Sequence, residues 1–168
     1  MNLKEKCRML GLGCYGGKQM KEFIALGYKG DAANGSEQDL KALGDIPKFR
    51  LEGFDGFGGH RERAEDCLVQ NSAFIDFIEN IKEEIVFVFF GGGGSTGSGC
   101  ATIVAEMLLQ ENEEEIKRIV CPVIALPSQD EPIAKHRNAY QAVVELQELE
   151  GLGATFFINN DSGKDYTS

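Results

Sequence analysis

The chain lacks most of the features that would place it in a membrane, a secretory pathway or on a nucleic acid. No apolar stretch approaches the roughly 18 residues that a membrane-spanning helix needs, so no membrane association is expected. The opening residues, with Lys4, Glu5 and Lys6 and no apolar core, do not read as a secretory leader. The five cysteines (Cys7, Cys14, Cys67, Cys100 and Cys121) are odd in number and contain no Cys-x-x-Cys pair, which fits a reducing cytoplasm. His60 and His136 have no companions at ligand spacing, which argues against a structural zinc site. Basic residues are few: 17 Lys and Arg stand against 27 Asp and Glu, a formal charge of −10. A polyanion is held by clustered cations, so extended direct contact with DNA or RNA is not expected. Neither an internal repeat nor a linker is visible.

What the chain has in excess is glycine. It carries 21, where average usage of about 7% would give about 12. The surplus gathers in three clusters, the pattern of ligand loops rather than of low complexity. The 168 residues are enough for one domain that buries about two-thirds of its unfolded surface.

Hydrophobic periodicity predicts alternating strands and helices. Strands are expected at 7–12, 31–34, 49–52, 85–90, 119–126 and 154–159. Helices are expected at 17–26, 36–43, 60–82, 101–110 and 131–150, with the acidic run Glu111 to Glu115 a solvated helix end. Such alternation implies an α/β fold: a three-layer, mostly parallel, Rossmann-like sheet with helices on both faces. Right-handed crossovers then place the strand-to-helix loops along one edge, where ligands of such sheets bind.

The richest loop, Gly91 to Gly99, lies between the apolar strand Ile85–Phe90 and the helix that follows. Glycines there leave unpaired backbone N–H groups at a helix N-terminus, a cradle for phosphate. Thr96 and Ser98 would serve either as phosphate ligands or as helix caps. The first loop, Gly11 to Gly17, contains Gly-x-Gly-x-x-Gly after a strand and would suit a dinucleotide site. The acidic residue such a site wants at the end of the second strand is replaced by Asn34. Gly17-Lys18 imitates a P-loop pair, but Leu12 and Gln19 stand where that motif needs Gly and Ser/Thr. Cys14 and Cys100 both fall in these loops, where a helix N-terminus would lower a thiol pKa, although the preferred reading is that they are small residues filling tight turns.

Three successive glycine loops imply a polyphosphate wrapped by backbone amides. The run Gly93-Gly94-Ser95-Thr96-Gly97-Ser98-Gly99 resembles the signature of the tubulin/FtsZ family of GTPases, with Ser95 in place of a glycine. The resemblance covers 1–168 as the family's nucleotide-binding half and implies GTP or GDP with Mg2+ as ligands. It implies phosphate contacts from Gly13, Cys14 and Tyr15 and from Gly93, Gly94, Ser95, Thr96, Gly97 and Ser98. Lys18 stands where cell-division members carry Asn. Asn34-Gly35-Ser36 resembles Asn-Thr-Asp, with Asn34 retained and the acid lost. Gly58 and Gly59 belong to the loop that would sense the γ-phosphate. Pro127, Glu131 and Lys135 resemble the Pro…Glu…Arg pattern that holds the ribose, and Asn160 resembles the Asn that reads the guanine edge.

Within the family, Leu51-Glu52-Gly53-Phe54-Asp55 and the pairing of Pro127 with Asn138 resemble TubZ, the plasmid and phage branch. That branch implies a filament of head-to-tail copies driving DNA segregation through a DNA-binding adaptor protein. A divergent FtsZ acting in division, a non-hydrolysing filament partner and an NAD-binding oxidoreductase domain are the alternatives. In the family a central helix follows the last strand, and acids beyond it reach the next subunit's nucleotide. The sequence stops at Ser168, where that helix would begin. The resemblance therefore implies a chain that hydrolyses GTP slowly or not at all by itself, with no catalytic residue assigned.

Overall fold

The computed structural model describes residues 2–54, 63–110 and 117–161. After a short helix α1 (Leu3–Lys6), the chain alternates: β1 (Cys7–Leu12), α2 (Gly13–Ala25), β2 (Lys29–Asn34), α3 (Glu37–Ala42) and β3 (Lys48–Arg50). Two helices follow, α4 (Ala64–Leu68) and α5 (Ser72–Glu79). Then come β4 (Ile85–Gly91), α6 (Ser95–Leu109), β5 (Ile119–Leu126), α7 (Ile133–Glu148) and β6 (Phe156–Asn159). The strands form one six-stranded sheet in the order β3-β2-β1-β4-β5-β6, and each adjacent pair is parallel. This is the expected α/β sheet.

The sheet divides the interior into two cores, because side chains alternate across a strand. Leu10, Leu12, Val86, Val88, Phe90, Val120 and Ile124 point to one face and pack beneath α4, α5, α6 and α7. Cys7, Met9, Phe89 and Val123 point to the other, where Met20 of α2 and Leu40 of α3 meet them. Coverage thins toward β6, where Phe156, Phe157 and Ile158 stay 45%, 52% and 41% exposed.

Two helices begin earlier than periodicity indicates. The helix expected from Ala101 starts at Ser95, and the one expected from Gly17 starts at Gly13. Glycine disfavours helix by about 1 kcal/mol relative to alanine, which hides these turns from a periodicity reading. Close approach explains their presence. A Cβ on Gly16 would lie 2.3 Å from the Phe89 carbonyl oxygen, and one on Gly97 would lie 2.9 Å from that of Leu12.

The single helix expected over 60–82 is instead two, with 60–62 outside the described residues. The break falls at Asn71, whose buried amide donates to the carbonyls of Cys67 (2.8 Å) and Glu52 (3.1 Å). Its Oδ1 accepts from the Glu52 N–H at 2.7 Å. A side chain that binds backbone in this way competes with helix continuation and ties the segment after β3 to α4. The acidic run 111–115 also lies outside the described residues.

Candidate functional site

A cleft of about 820 Å³ opens at the carboxyl ends of the strands. Its centre is the junction of β1 and β4, where the strand order reverses and successive crossovers leave in opposite directions, the position at which parallel sheets bind ligands. α2 starts from the end of β1 and α6 from the turn after β4, so both helix N-termini point into one space.

Neither N-terminus is capped by a side chain: Leu12 precedes α2 and Gly94 precedes α6. By contrast, Ser36 at the start of α3 accepts a hydrogen bond from the Asp39 N–H, and Asn2 caps α1. The first N–H groups of a helix have no partner within it. Two uncapped helices of 13 and 15 residues therefore present unpaired donors and the positive ends of their dipoles to the same volume. They all but touch, since a Cβ on Gly13 would lie 3.1 Å from the Gly97 nitrogen. Gly13 itself has φ of +72°, a left-handed conformation that suits glycine.

The structure brings together most of the residues expected from sequence. Gly13, Cys14, Tyr15 and Lys18 line the cleft from α2; Gly93, Gly94, Ser95, Thr96 and Gly97 line it from the turn into α6. Asn34 enters from β2, Pro127 from the end of β5, Glu131 and Lys135 from the start of α7, and Asn160 from the end of β6. Lys135 donates to Glu131 at 3.0 Å, and its stem lies where a Cβ on Gly93 would be, at 2.9 Å. Asn138, on the next turn of α7, donates to the Gly93 carbonyl at 3.4 Å and steadies the glycine turn. The Asn160 amide nitrogen donates to the Leu126 carbonyl at 2.8 Å.

Some expectations are not met or lie elsewhere. Ser98 does not line the cleft; it is buried, and its hydroxyl donates back to the Gly94 carbonyl within α6. Cys100 is fully buried in α6, where desolvation pushes its thiol well above the ordinary range, opposite to the lowering that a helix N-terminus would give. Cys14 is exposed. Burial raises the Tyr15 hydroxyl above its ordinary value. Gly58 and Gly59 lie outside the described residues.

Ser36 and Phe54, read in the sequence only as parts of motifs, also line the cleft, and so does Asp39, which was not singled out from sequence. Asp39 accepts from the Asn34 side-chain nitrogen at 3.1 Å. The signal available for it was its place three residues after Ser36, the spacing of a helix cap and its partner. Among the described residues no group of three or more His, Cys, Asp or Glu could hold a metal by itself, and no helix is long and apolar enough to cross a membrane.

Comparison with known proteins agrees with this fold. A tubulin-like protein CetZ from Pyrococcus abyssi is 29% identical over 153 residues, covering 84% of this chain and 41% of its own length. The structure of Clostridium botulinum phage c-st TubZ superposes with a TM-score of 0.81 at 21% identity, over 98% of this chain and 56% of that one. CetZ2 from Haloferax volcanii, solved as a GTPγS-bound protofilament, superposes with a TM-score of 0.73 at 22% identity, over 97% and 52%. The chain thus spans about half the length of the relatives it matches. The model of the tubulin/FtsZ family GTPase domain matches residues 50–167, and with it the glycine turn at the head of α6: this chain belongs to the tubulin/FtsZ family.

Proposed function

We propose that the chain is the guanine-nucleotide-binding module of a filament-forming GTPase. The observation that carries this reading is the convergence of two uncapped helix N-termini, α2 and α6, on one cleft. A polyphosphate is what such an arrangement of backbone donors suits, because its charge is spread over several oxygens. The N–H groups of Gly13, Cys14 and Tyr15 would hold one side of the phosphates, and those of Ser95, Thr96 and Gly97 the other. Glu131 and Lys135 would face the ribose and Asn160 the base. Phosphoryl transfer draws most of its acceleration from positioning and charge stabilisation. The cleft would supply the positioning, and hydrolysis would be completed where one copy meets the next.

Self-association into a head-to-tail filament is supported by the protofilament in which the CetZ2 relative was solved. For the cellular task we favour plasmid or phage DNA segregation through a DNA-binding adaptor, on the likeness to phage TubZ. The sequence similarity to CetZ supports a second reading, a CetZ-type filament unconnected with segregation. Deleting the gene separates them: loss of the resident plasmid or phage replicon supports the first, and its undisturbed inheritance the second.

Calorimetric titration with GDP, GTP, ADP and NAD in parallel, with magnesium present, tests the nucleotide itself. Guanine-selective binding is the expected result. Binding of NAD alone would return the site to the dinucleotide class, and no binding of any of the four would remove the proposed ligand.

A further inference from the structure

Helix α7 leaves one face largely open. It buries Asn138, Ala139, Ala142 and Leu146, and the side turned away from them holds Ile133, Arg137, Tyr140 and Val144. These four stand four, three and four residues apart, the spacing of a coiled-coil seam. Ile133 is 79% and Tyr140 71% exposed, and no other helix of the described residues leaves two large apolar side chains so open. Arg137 is exposed and makes no ion pair with the described residues. Between Ile133 and Val144 there is no carboxylate, in a chain whose formal charge is −10. The flanking residues Ala134, His136, Gln141 and Val143 therefore bring no negative charge to the seam.

The order of these side chains is self-complementary. Laid against a second copy of itself in the opposite direction, α7 sets Ile133 against the second copy's Val144 and Arg137 against the second copy's Tyr140. A two-fold axis repeats each contact. Two aliphatic pairs lie outside, and between them two guanidinium groups meet two phenol rings, which attract as a cation attracts a ring face. A parallel pairing would instead press Arg137 on Arg137. We propose that α7 is a self-association surface that pairs antiparallel with α7 of a second copy through these four residues. Tyr and Arg are the side chains that most often carry such contacts. Four residues fall well short of the roughly 20–30 a side of a standard interface, so one pair of copies associates weakly. In the filament proposed above the contact would recur in every copy, and repetition would strengthen it. The pairing itself stands apart from the nucleotide reading, and its test contains no nucleotide.

The test is sedimentation equilibrium of the whole chain from about 0.01 to about 1 mM, the range of a weak contact, with the thermal midpoint as a check on folding. The wild type should show a monomer–dimer equilibrium. Tyr140→Arg should weaken it by roughly tenfold or more, because guanidinium then meets guanidinium, and Arg137→Tyr should weaken it less. The double variant exchanges the two residues and rebuilds both ring-on-cation pairs, so it should recover the wild-type association. Added salt should not loosen the wild-type dimer, since no carboxylate takes part. A wild type that stays monomeric throughout would overturn the proposal, as would a double variant no better than Tyr140→Arg. A dimer untouched by Tyr140→Arg would put the contact elsewhere, as on β6. One that dissolves in salt would mean that Arg137 meets an acidic surface, and either result overturns the pairing.

Discussion

The two ends of the sheet handle polar groups in opposite ways. At the carboxyl end, glycines and uncapped helices leave backbone donors unpaired. At the amino end, charge is buried and matched. Arg8 of β1 reaches Asp31 of β2 at 2.7 Å and Glu83 at 3.3 Å, and Lys29 closes on Glu83 at 2.8 Å. The guanidinium also lies 5.1 Å from the centre of the Phe77 ring. Nearby, buried Arg118 donates to the carbonyls of Ile78 and Ile81 and to that of Gln110, closing the ends of α5 and α6. Backbone donors stand where a ligand could complete them, and at the opposite end Arg8, Asp31, Lys29 and Glu83 complete one another, whereas the buried Arg118 Nε has no partner among the described residues. One end is arranged for binding and the other for stability.

The sharpest way to break this contrast is at Gly16. An alanine there would set its Cβ 2.3 Å from one backbone oxygen and 2.8 Å from the Gly11 carbonyl carbon. Backbone cannot step aside as a side chain can, so the loss should reach or exceed about 3 kcal/mol, the upper range of ordinary overpacking. Denaturant midpoints would measure it, and a near-neutral result would show that α2 can slide on the sheet.

Arg8→Met should come next, at about 3 kcal/mol, because it strands the buried Asp31 carboxylate. Burial already pushes Asp31 above its ordinary value of 3.8, with Arg8 opposing the push. A carboxyl whose folded pKa is raised weakens the fold as pH rises through that window. The deficit of the variant should therefore shrink as the solution is acidified and Asp31 takes up its proton. Thermal midpoints across the acid range would show the convergence; parallel curves would remove Asp31 from the account.

Thr96→Val should act at the other end alone. The loss of one hydroxyl contact should weaken nucleotide affinity by roughly tenfold with an unchanged melting temperature. Unchanged affinity would detach the turn at the head of α6 from the ligand. Lys29→Met should do least. Its side chain is 55% exposed, and screened pairs are worth about 0–1 kcal/mol. Burial raises Glu83, but the Lys29 hydrogen bond and the Arg8 charge together hold it below its ordinary value of 4.5. The small contribution from Lys29 should be present near neutrality and vanish as pH falls through the lowered folded value.

How legible each part was follows from the physics that encodes it. The strands Cys7–Leu12 and Ile119–Leu126 could be read to the residue, since each is a mainly apolar run, broken in the first only by Arg8, that must be buried in a parallel sheet. Helical turns at 13–16 and 95–100 could not, because glycine there serves close approach rather than helix propensity. The break at Asn71 depends on a contact with Glu52, 19 residues away, which no local pattern records. The glycine side of the cleft was readable from sequence, whereas Asp39 was hidden because its place on the cleft comes from the turn of α3.

The exposed strand β6 has a consequence for the chain as a colloid. With Phe156 and Ile158 uncovered on one face and Phe157 on the other, contact between copies is attractive at short range. At long range a net charge of −10 holds them apart. Salt shortens the reach of that repulsion, to about 10 Å at 0.1 M, and leaves the apolar attraction in place. Dilute buffer should therefore keep copies dispersed, and rising ionic strength should bring them together through β6.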